Sequence, residues 1–251
     1  MRAQWEEHGT YEVLRWAYDH VVIYGAPEVF DTATEYGLPD EVARKTHSVG
    51  YVSDLGDRPA APAASAPPSA TPRRIVLTIG GGDGGSDTLI DPFLAMLRTY
   101  RSRLDVEVQA LLGPFVPEEV ERRLRASAAG LPVTLDSFVQ RPPDLFAAAD
   151  LVVATAGYNT SVEVLAHAHR AILIPRVMHR DEQLIRARRL DELGLVACVH
   201  PSEATVERLF EVTTRLLAGE PALTRARERN AVPLDGATRF GDLFAQPSPA
   251  R

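Results

Sequence analysis

The chain has 251 residues, 45% of them hydrophobic, and a formal net charge of −7. That length supports one large or two modest domains with a sizeable core, and the acidic balance gives no basic field to hold a nucleic acid backbone, so no nucleic acid partner is expected. A lone cysteine, Cys198, allows no internal disulfide, no apolar run approaches the roughly 18 residues of a membrane span, and the opening MRAQWEEHGT lacks the apolar stretch of a signal peptide. A cytoplasmic location is therefore expected, and composition leaves open a peripheral contact at the inner face of a membrane.

In chain order, HVVIYG predicts a buried strand, EVFDTATEYG a short helix or turn region, and HSVGYV a second strand. The segment Gly56 to Arg74, rich in Pro, Ala and Ser and without periodicity, reads as a linker. After it, β-branched runs alternate with helical patterns. RIVLTI precedes a helix from about Ser86, DVEVQALL a helix near Glu118 to Ala128, and PVTLDSF leads on to DLVVAT and a helix from about Asn159. AILIP is followed by a helix near Glu182 to Leu193, and LVACVH by one near Glu203 to Leu217. Such alternation implies right-handed crossovers and a parallel sheet covered on both faces, an α/β, Rossmann-like, doubly wound fold. In the first helix after the linker, Leu89, Ile90, Phe93, Leu94 and Leu97 recur at helical spacing and are expected in the core. Ser86 or Asp87 is its expected N-cap, and Pro92 falls in its first turns. Cys198 reads as a small core residue.

Ligands of an open parallel sheet bind at the carboxyl ends of its strands, and three loops leave those ends. The first is TIGGGDGGSDTLI, where Gly80, Gly82 and Gly85 satisfy G-x-G-x-x-G. It reads either as a phosphate cradle before a helix N-terminus or as a tight turn needing positive φ. The next strand ends in VQALLGP with no acid for a ribose, the loop has GGSD in place of a Walker Gly-Lys-Ser/Thr, and Thr88 stands where G-x-S-x-G needs glycine. Nicotinamide, ATPase and α/β-hydrolase readings are all disfavoured.

The second loop is ATAGYNTSVEVL: Gly157 permits a sharp turn, and Tyr158, Asn159 and Thr160 open a helix with free amides. Thr160 and Glu163 match a capping box, which pattern alone favours over a ligand role for the glutamate. In the third loop, PRVMHRDEQLIRA, Asp181, Glu182 and Gln183 suit sugar hydroxyls but also suit an ordinary acid-enriched helix start, and the latter is favoured by pattern. His167 and His169, two apart, point in different directions and read as solvated or capping residues. His179 could meet a phosphate, though a loop histidine without a role is the simpler reading. No Cys/His cluster with ligand spacing and no D-x-D is present, so neither a metal nor another cofactor is expected.

Together these loops resemble one family. The run DSFVQRPPDLFAAADLVVATAGYNTSVEVLAHAHRAILIPRVMHRDEQLIRARRLDELGLV is similar to the donor-binding half of MurG-like GT-B glycosyltransferases, which transfer N-acetylglucosamine from UDP to a lipid-linked acceptor. The pattern comprises AD-L-V-V, a glycine turn, Thr-x-x-Glu, an apolar strand ending in Pro, and a Gln before an N-A or R-A helix, and the resemblance covers about Arg74 to Leu217. It implies that the backbone at Phe138 and Val139 reads uracil and that Glu163 holds the ribose. Gly157, Tyr158, Asn159 and Thr160 would face the diphosphate, with Gly81, Gly82 and Gly84 closing from the other side, and Asp181 and Gln183 would face the donor sugar.

Two departures stand out within the loops: Thr155-Ala156 where the family has Arg-Ser-type residues, and Gly82-Asp83 where it has Ser-Gln. A third is that the family's G-G-H acceptor loop does not occur in residues 1 to 55, whose histidines are His8, His20 and His47. The resemblance thus divides the chain into a remnant of an acceptor domain at 1–55, the linker at 56–74, a nucleotide-sugar donor domain at 75–218, and a C-terminal helix and tail at 219–251. It implies a UDP-sugar donor, a lipid-linked or small glycoside acceptor, metal-independent transfer, and an acceptor-domain partner chain as in split family members. The alternatives are an inactive nucleotide-sugar binding module and a UDP-sugar epimerase or hydrolase.

Overall fold

The computed structural model describes residues 2–53, 72–80, 85–177 and 181–245, so most of the predicted linker and part of the glycine loop lie outside the described residues. The chain divides into two compact units, one formed by Met1–Pro59 with Asn230–Arg251 and the other by Ala60–Arg229.

In chain order the smaller unit contains helices α1 (Arg2–Glu7) and α2 (Thr10–Trp16), strand β1 (Val21–Ile23), short helices α3 (Thr32–Glu35) and α4 (Asp40–Ala43), and strand β2 (Thr46–Ser48). The two strands pair in parallel, Val21 beside Thr46 and Ile23 beside Ser48. Asp31 caps α3, accepting from the Ala33 and Thr34 amides at 3.1 and 3.2 Å. The segment after β2 and the chain's far end meet within this unit: the Tyr51 amide donates to the Pro233 carbonyl (2.9 Å), and the Gly236 amide to the Tyr51 carbonyl (3.0 Å).

The larger unit begins with β3 (Arg73–Thr78), a wide π-helical turn at Ser86–Ile90 and helix α5 (Asp91–Tyr100). Then come β4 (Val106–Leu111), α6 (Glu118–Ala128), β5 (Val133–Asp136), α7 (Pro142–Ala148), β6 (Leu151–Ala154), α8 (Tyr158–His167) and β7 (Ala171–Leu173). It closes with α9 (Glu182–Glu192), β8 (Ala197–Cys198), α10 (Val206–Ala218) and α11 (Ala222–Glu228), while α12 (Gly236–Ala245) returns to the smaller unit. The six strands are all parallel, in the order β5-β4-β3-β6-β7-β8. This is the doubly wound order, and it reverses between β3 and β6, where a ligand crevice is placed.

Burial explains the order. β6 reads Leu-Val-Val-Ala with every residue buried, as a central parallel strand requires. Leu89, Ile90, Phe93, Leu94 and Leu97 are at most 2% exposed and pack with Leu77, Leu112, Val153 and Ile172, as their spacing predicts. Each such side chain contributes about 1.5–3 kcal/mol of burial. The expected N-cap at Ser86 or Asp87 is not used: the turn begins after Gly85, which offers no side chain, and Pro92 sits in the first turn of α5 where its missing amide costs little.

Asp150, in the AD-L-V-V run, locks β6 beside β3. It is 3% exposed, accepts from the Arg73 guanidinium (2.7 Å), and accepts from the Arg74 amide (2.9 Å). His169 is also buried, which corrects its reading as a solvated or capping residue. Its Nε2 lies 3.1 Å from the Ala147 carbonyl, which can only accept, so Nε2 carries the proton and Nδ1 accepts from the Thr224 hydroxyl at 2.7 Å. Burial, with the cations Arg227 and Arg170 nearby, holds this imidazole below its usual pKa and neutral. Cys198 is half-buried, and burial with Asp191 nearby pushes its thiol up to about 11, so it is an unreactive thiol at neutral pH. No helix among the described residues is long and apolar enough to cross a membrane.

Candidate functional site

Every loop that leaves a strand at the switch point carries a short residue that lets backbones approach. At the end of β3, Gly80 has φ +74° and Gly85 has φ +103°, both in the left-handed region. A Cβ on Gly80 would stand 3.0 Å from the Thr160 hydroxyl, and one on Gly85 would stand 3.3 Å from both Ile79 and Thr155. The positive-φ reading therefore accounts for the two flanking glycines. Gly81, Gly82 and Gly84, with Asp83, lie outside the described residues, as does His179.

Thr155 stitches β3 to β6. Its amide donates to the Thr78 carbonyl (3.2 Å) and its hydroxyl donates to the Ile79 carbonyl (3.2 Å), while the Gly80 amide donates to the Thr78 hydroxyl (3.2 Å). The threonine that departs from the family pattern thus holds the crevice floor.

Helix α8 begins immediately beyond. Its N-cap is Gly157 (φ −59°, ψ 152°), which has no side chain for capping, and the Ser161 amide is bonded to the Gly157 carbonyl (2.8 Å). Tyr158, Asn159 and Thr160 occupy the first three helical positions, whose amides have no intrahelical acceptor and lie at the positive end of the helix dipole. This placement overturns the capping-box alternative. In such a box Thr160 would be the N-cap and Glu163 the third residue, whereas Thr160 is itself the third residue and Glu163 the sixth. The glutamate is half-buried and one turn too far along to serve the helix start.

Glu163 instead lines a cleft of about 260 Å³ together with Gly80, Phe138, Val139, Asn159 and Thr160. The opposite wall comes from the ends of β4 and β5, including Asp136, whose carboxylate accepts from the Gln109 amide at 2.7 Å. This volume is below the roughly 300–1,000 Å³ of clefts that enclose a whole drug-sized ligand, so it suits one moiety of a larger molecule. Phe138 is 73% exposed although it lines the cleft beside Val139.

Gln183 is brought to the start of α8, and Asp181 is exposed at the start of α9. The Gln183 Oε1 accepts from the Arg176 amide (3.0 Å), and its Nε2 lies 4.0 Å from where a Cβ on Gly157 would be. Neither residue lines the cleft beside Glu163. Sequence reasoning missed Arg186. Its side chain is buried, donates to the Ala156 carbonyl (2.7 Å), pairs with Glu182, and lies 5.7 Å from the Tyr158 ring centre. The signal was its position one turn after Gln183 on the face carrying Ala187 and Leu190, where a charged residue is out of place.

Residues 76–239 match the glycosyltransferase family 28 C-terminal domain. One relative, the UDP-N-acetylglucosamine--N-acetylmuramyl-(pentapeptide) pyrophosphoryl-undecaprenol N-acetylglucosamine transferase of Solibacter usitatus, is 29% identical over 182 residues, covering 72% of this chain and 50% of that protein. The Bacillus subtilis enzyme of the same name is 25% identical over 178 residues, covering 69% and 48%. The chain thus spans about half the length of these curated relatives. Among solved structures, the glycotransferase of kitacinnamycin superposes with a TM-score of 0.64 at 16% identity, covering 97% of this chain and 59% of that one. Acinetobacter baumannii MurG gives 0.59 at 18%, covering 92% and 76%. Spinosyn rhamnosyltransferase SpnG, complexed with thymidine diphosphate, gives 0.56 at 20%, covering 89% and 56%. The six-stranded sheet is that of the Rossmann-like C-terminal domain of GT-B glycosyltransferases.

Proposed function

The chain belongs to the glycosyltransferase family 28 C-terminal domain family, in its MurG-like branch, and from that premise we propose that it is the donor-binding half of a UDP-sugar glycosyltransferase. The observation that carries the reading is the convergence of Gly80, Phe138, Val139, Asn159, Thr160 and Glu163 on one cleft at the sheet's switch point. The Phe138–Val139 backbone reads the uracil. Glu163 accepts from both ribose hydroxyls, each bond contributing about 1.5–3 kcal/mol. The Tyr158, Asn159 and Thr160 amides, beginning at Gly157, receive the diphosphate, and Gly81, Gly82 and Gly84, outside the described residues, are assigned to it by the family resemblance alone. Asp181 and Gln183 face the donor sugar, an N-acetylglucosamine-like hexose.

The chemistry follows from where charge develops. As the acceptor hydroxyl displaces UDP with inversion at the anomeric carbon, negative charge gathers on the departing diphosphate. The fixed amides and dipole at the α8 N-terminus stabilise that charge without a metal. Deprotonation of the acceptor falls to the acceptor-binding half, supplied by a partner chain, and the pyrophosphoryl-undecaprenol acceptor named for the relatives supports a reaction at a membrane face.

Calorimetric titration with UDP and thymidine diphosphate tests the donor site. UDP should bind at least about tenfold more tightly, because thymidine diphosphate lacks the 2′-hydroxyl that Glu163 accepts from. Equal affinities contradict the assigned role of Glu163, and no affinity for either contradicts the donor site. A transfer assay with UDP-N-acetylglucosamine then separates the enzyme from a binding module, for which donor binding occurs without turnover even when the acceptor half is added.

A further inference from the structure

Three ionisable side chains are buried among the described residues of the larger unit: Asp150, His169 and Arg186. Asp150 and His169 hold strands and helices together, as their partners above require. Arg186 differs, because its guanidinium sits beside the N-terminus of α8, the positive end of the helix dipole, where a cation is electrostatically misplaced unless an anion joins it. We propose that Arg186 is a positioning residue for the donor diphosphate, fixing the Ala156–Tyr158 turn in its phosphate-receiving form; this rests on the donor-site reading above.

The geometry brackets Gly157. One nitrogen of Arg186 donates to the carbonyl of Ala156, the residue before it, at 2.7 Å, and the guanidinium carbon lies 5.7 Å from the ring centre of Tyr158, the residue after it. The N-cap glycine supplies no side chain to restrain this turn, so the restraint comes from α9. A lysine has one rotating ammonium and cannot hold carbonyl and ring together as a planar fork does. The other partner is Glu182, whose side chain is half-exposed while that of Arg186 is 10% exposed. Glu182 therefore acts as the resident anion of the free protein, and a diphosphate arriving at the α8 amides is the second. The carboxylate competes with that ligand for the same positive charge.

Two substitutions test this, each titrated with UDP and, by ligand-observed NMR, with uridine, which reaches the uracil and ribose contacts but has no phosphate. Arg186→Met should weaken UDP by at least about tenfold while changing uridine by less than about twofold. Glu182→Gln, on an exposed position, should tighten UDP by about two- to fivefold and leave uridine unchanged. A purely structural Arg186 would lower both ligands together, and unchanged UDP binding in Arg186→Met would equally overturn the proposal. Should Arg186→Met fail to fold, Glu182→Gln decides alone: unchanged or weaker UDP binding overturns it. Wild-type protein that binds no UDP instead contradicts the donor site itself.

Discussion

The two ends of α8 are built on opposite principles. At its C-terminal end the Arg227 guanidinium donates to the carbonyls of Leu165 (3.0 Å) and Ala168 (2.7 Å), and His169, two residues past the helix, is held by Thr224 and Ala147. Side chains from elsewhere in the fold satisfy that terminus. At the N-terminal end the cap residue is a glycine, the neighbouring strand contributes Gly80, and the first helical amides border a cleft. Side chains from elsewhere serve one end of α8, whereas the other begins at a glycine with no side chain to cap it; on the donor-site proposal the first end serves stability and the second a ligand.

Breaking the C-terminal end should have the largest effect. Arg227→Met removes two charge-assisted hydrogen bonds to partly buried carbonyls and should destabilise by about 2–3 kcal/mol. Thermal denaturation should show Tm lower by roughly 5–10 °C, with UDP affinity retained below the transition. Glu163→Ala inverts the pattern: UDP affinity falls more than about tenfold and Tm barely moves, because Glu163 at the sixth helical position lies beyond the turn where a helix start is capped. A sharp loss of Tm with intact affinity would reverse the assignment.

Gly157→Ala sharpens the contrast further. The backbone there is at φ −59°, and among the described residues a Cβ meets Gln183 and Thr160 at 4.0 Å, so the free protein accommodates alanine. UDP affinity, measured by titration, should still fall about threefold, since the methyl stands where phosphate approaches backbone. The smallest effect concerns His169. Its pKa is lowered in the folded state, so the unfolded chain binds a proton more readily, and stability is full above about pH 6.5 and declines as pH falls toward the folded value. Denaturant titrations between pH 7 and pH 5 should show that slope in wild type and lose part of it in His169→Gln.

Much of the larger unit was legible. Its strands are short, two to six residues, several of them apolar throughout, such as LVVA and AIL, and its helices carry apolar faces that a two-sided sheet covers. The site was legible as loops at strand ends. What sequence could not supply was helix phase. Whether Thr160 is the cap or the third residue of α8 depends on where the turn at Gly157 closes, and that single shift decides whether Glu163 serves the backbone or faces the cleft. His169 was misread for a related reason: its surroundings come from α7 and α11, Thr224 being 55 residues distant in sequence. Arg186 was unreadable without knowing that its face of α9 meets the start of α8. In the smaller unit the two short strands and the short helix within EVFDTATEYG were legible, whereas contacts that join the chain's beginning to its far end, as between Tyr51 and Pro233, were not.

Amide hydrogen exchange, followed residue by residue with and without UDP, tests the asymmetry of α8 most directly. Slowed exchange is expected at Tyr158, Asn159 and Thr160 and at the Phe138–Val139 backbone, with no change from Ala166 to His169 or along α11. Protection confined to the C-terminal end of α8, or UDP binding that leaves the three N-terminal amides unprotected, would contradict it.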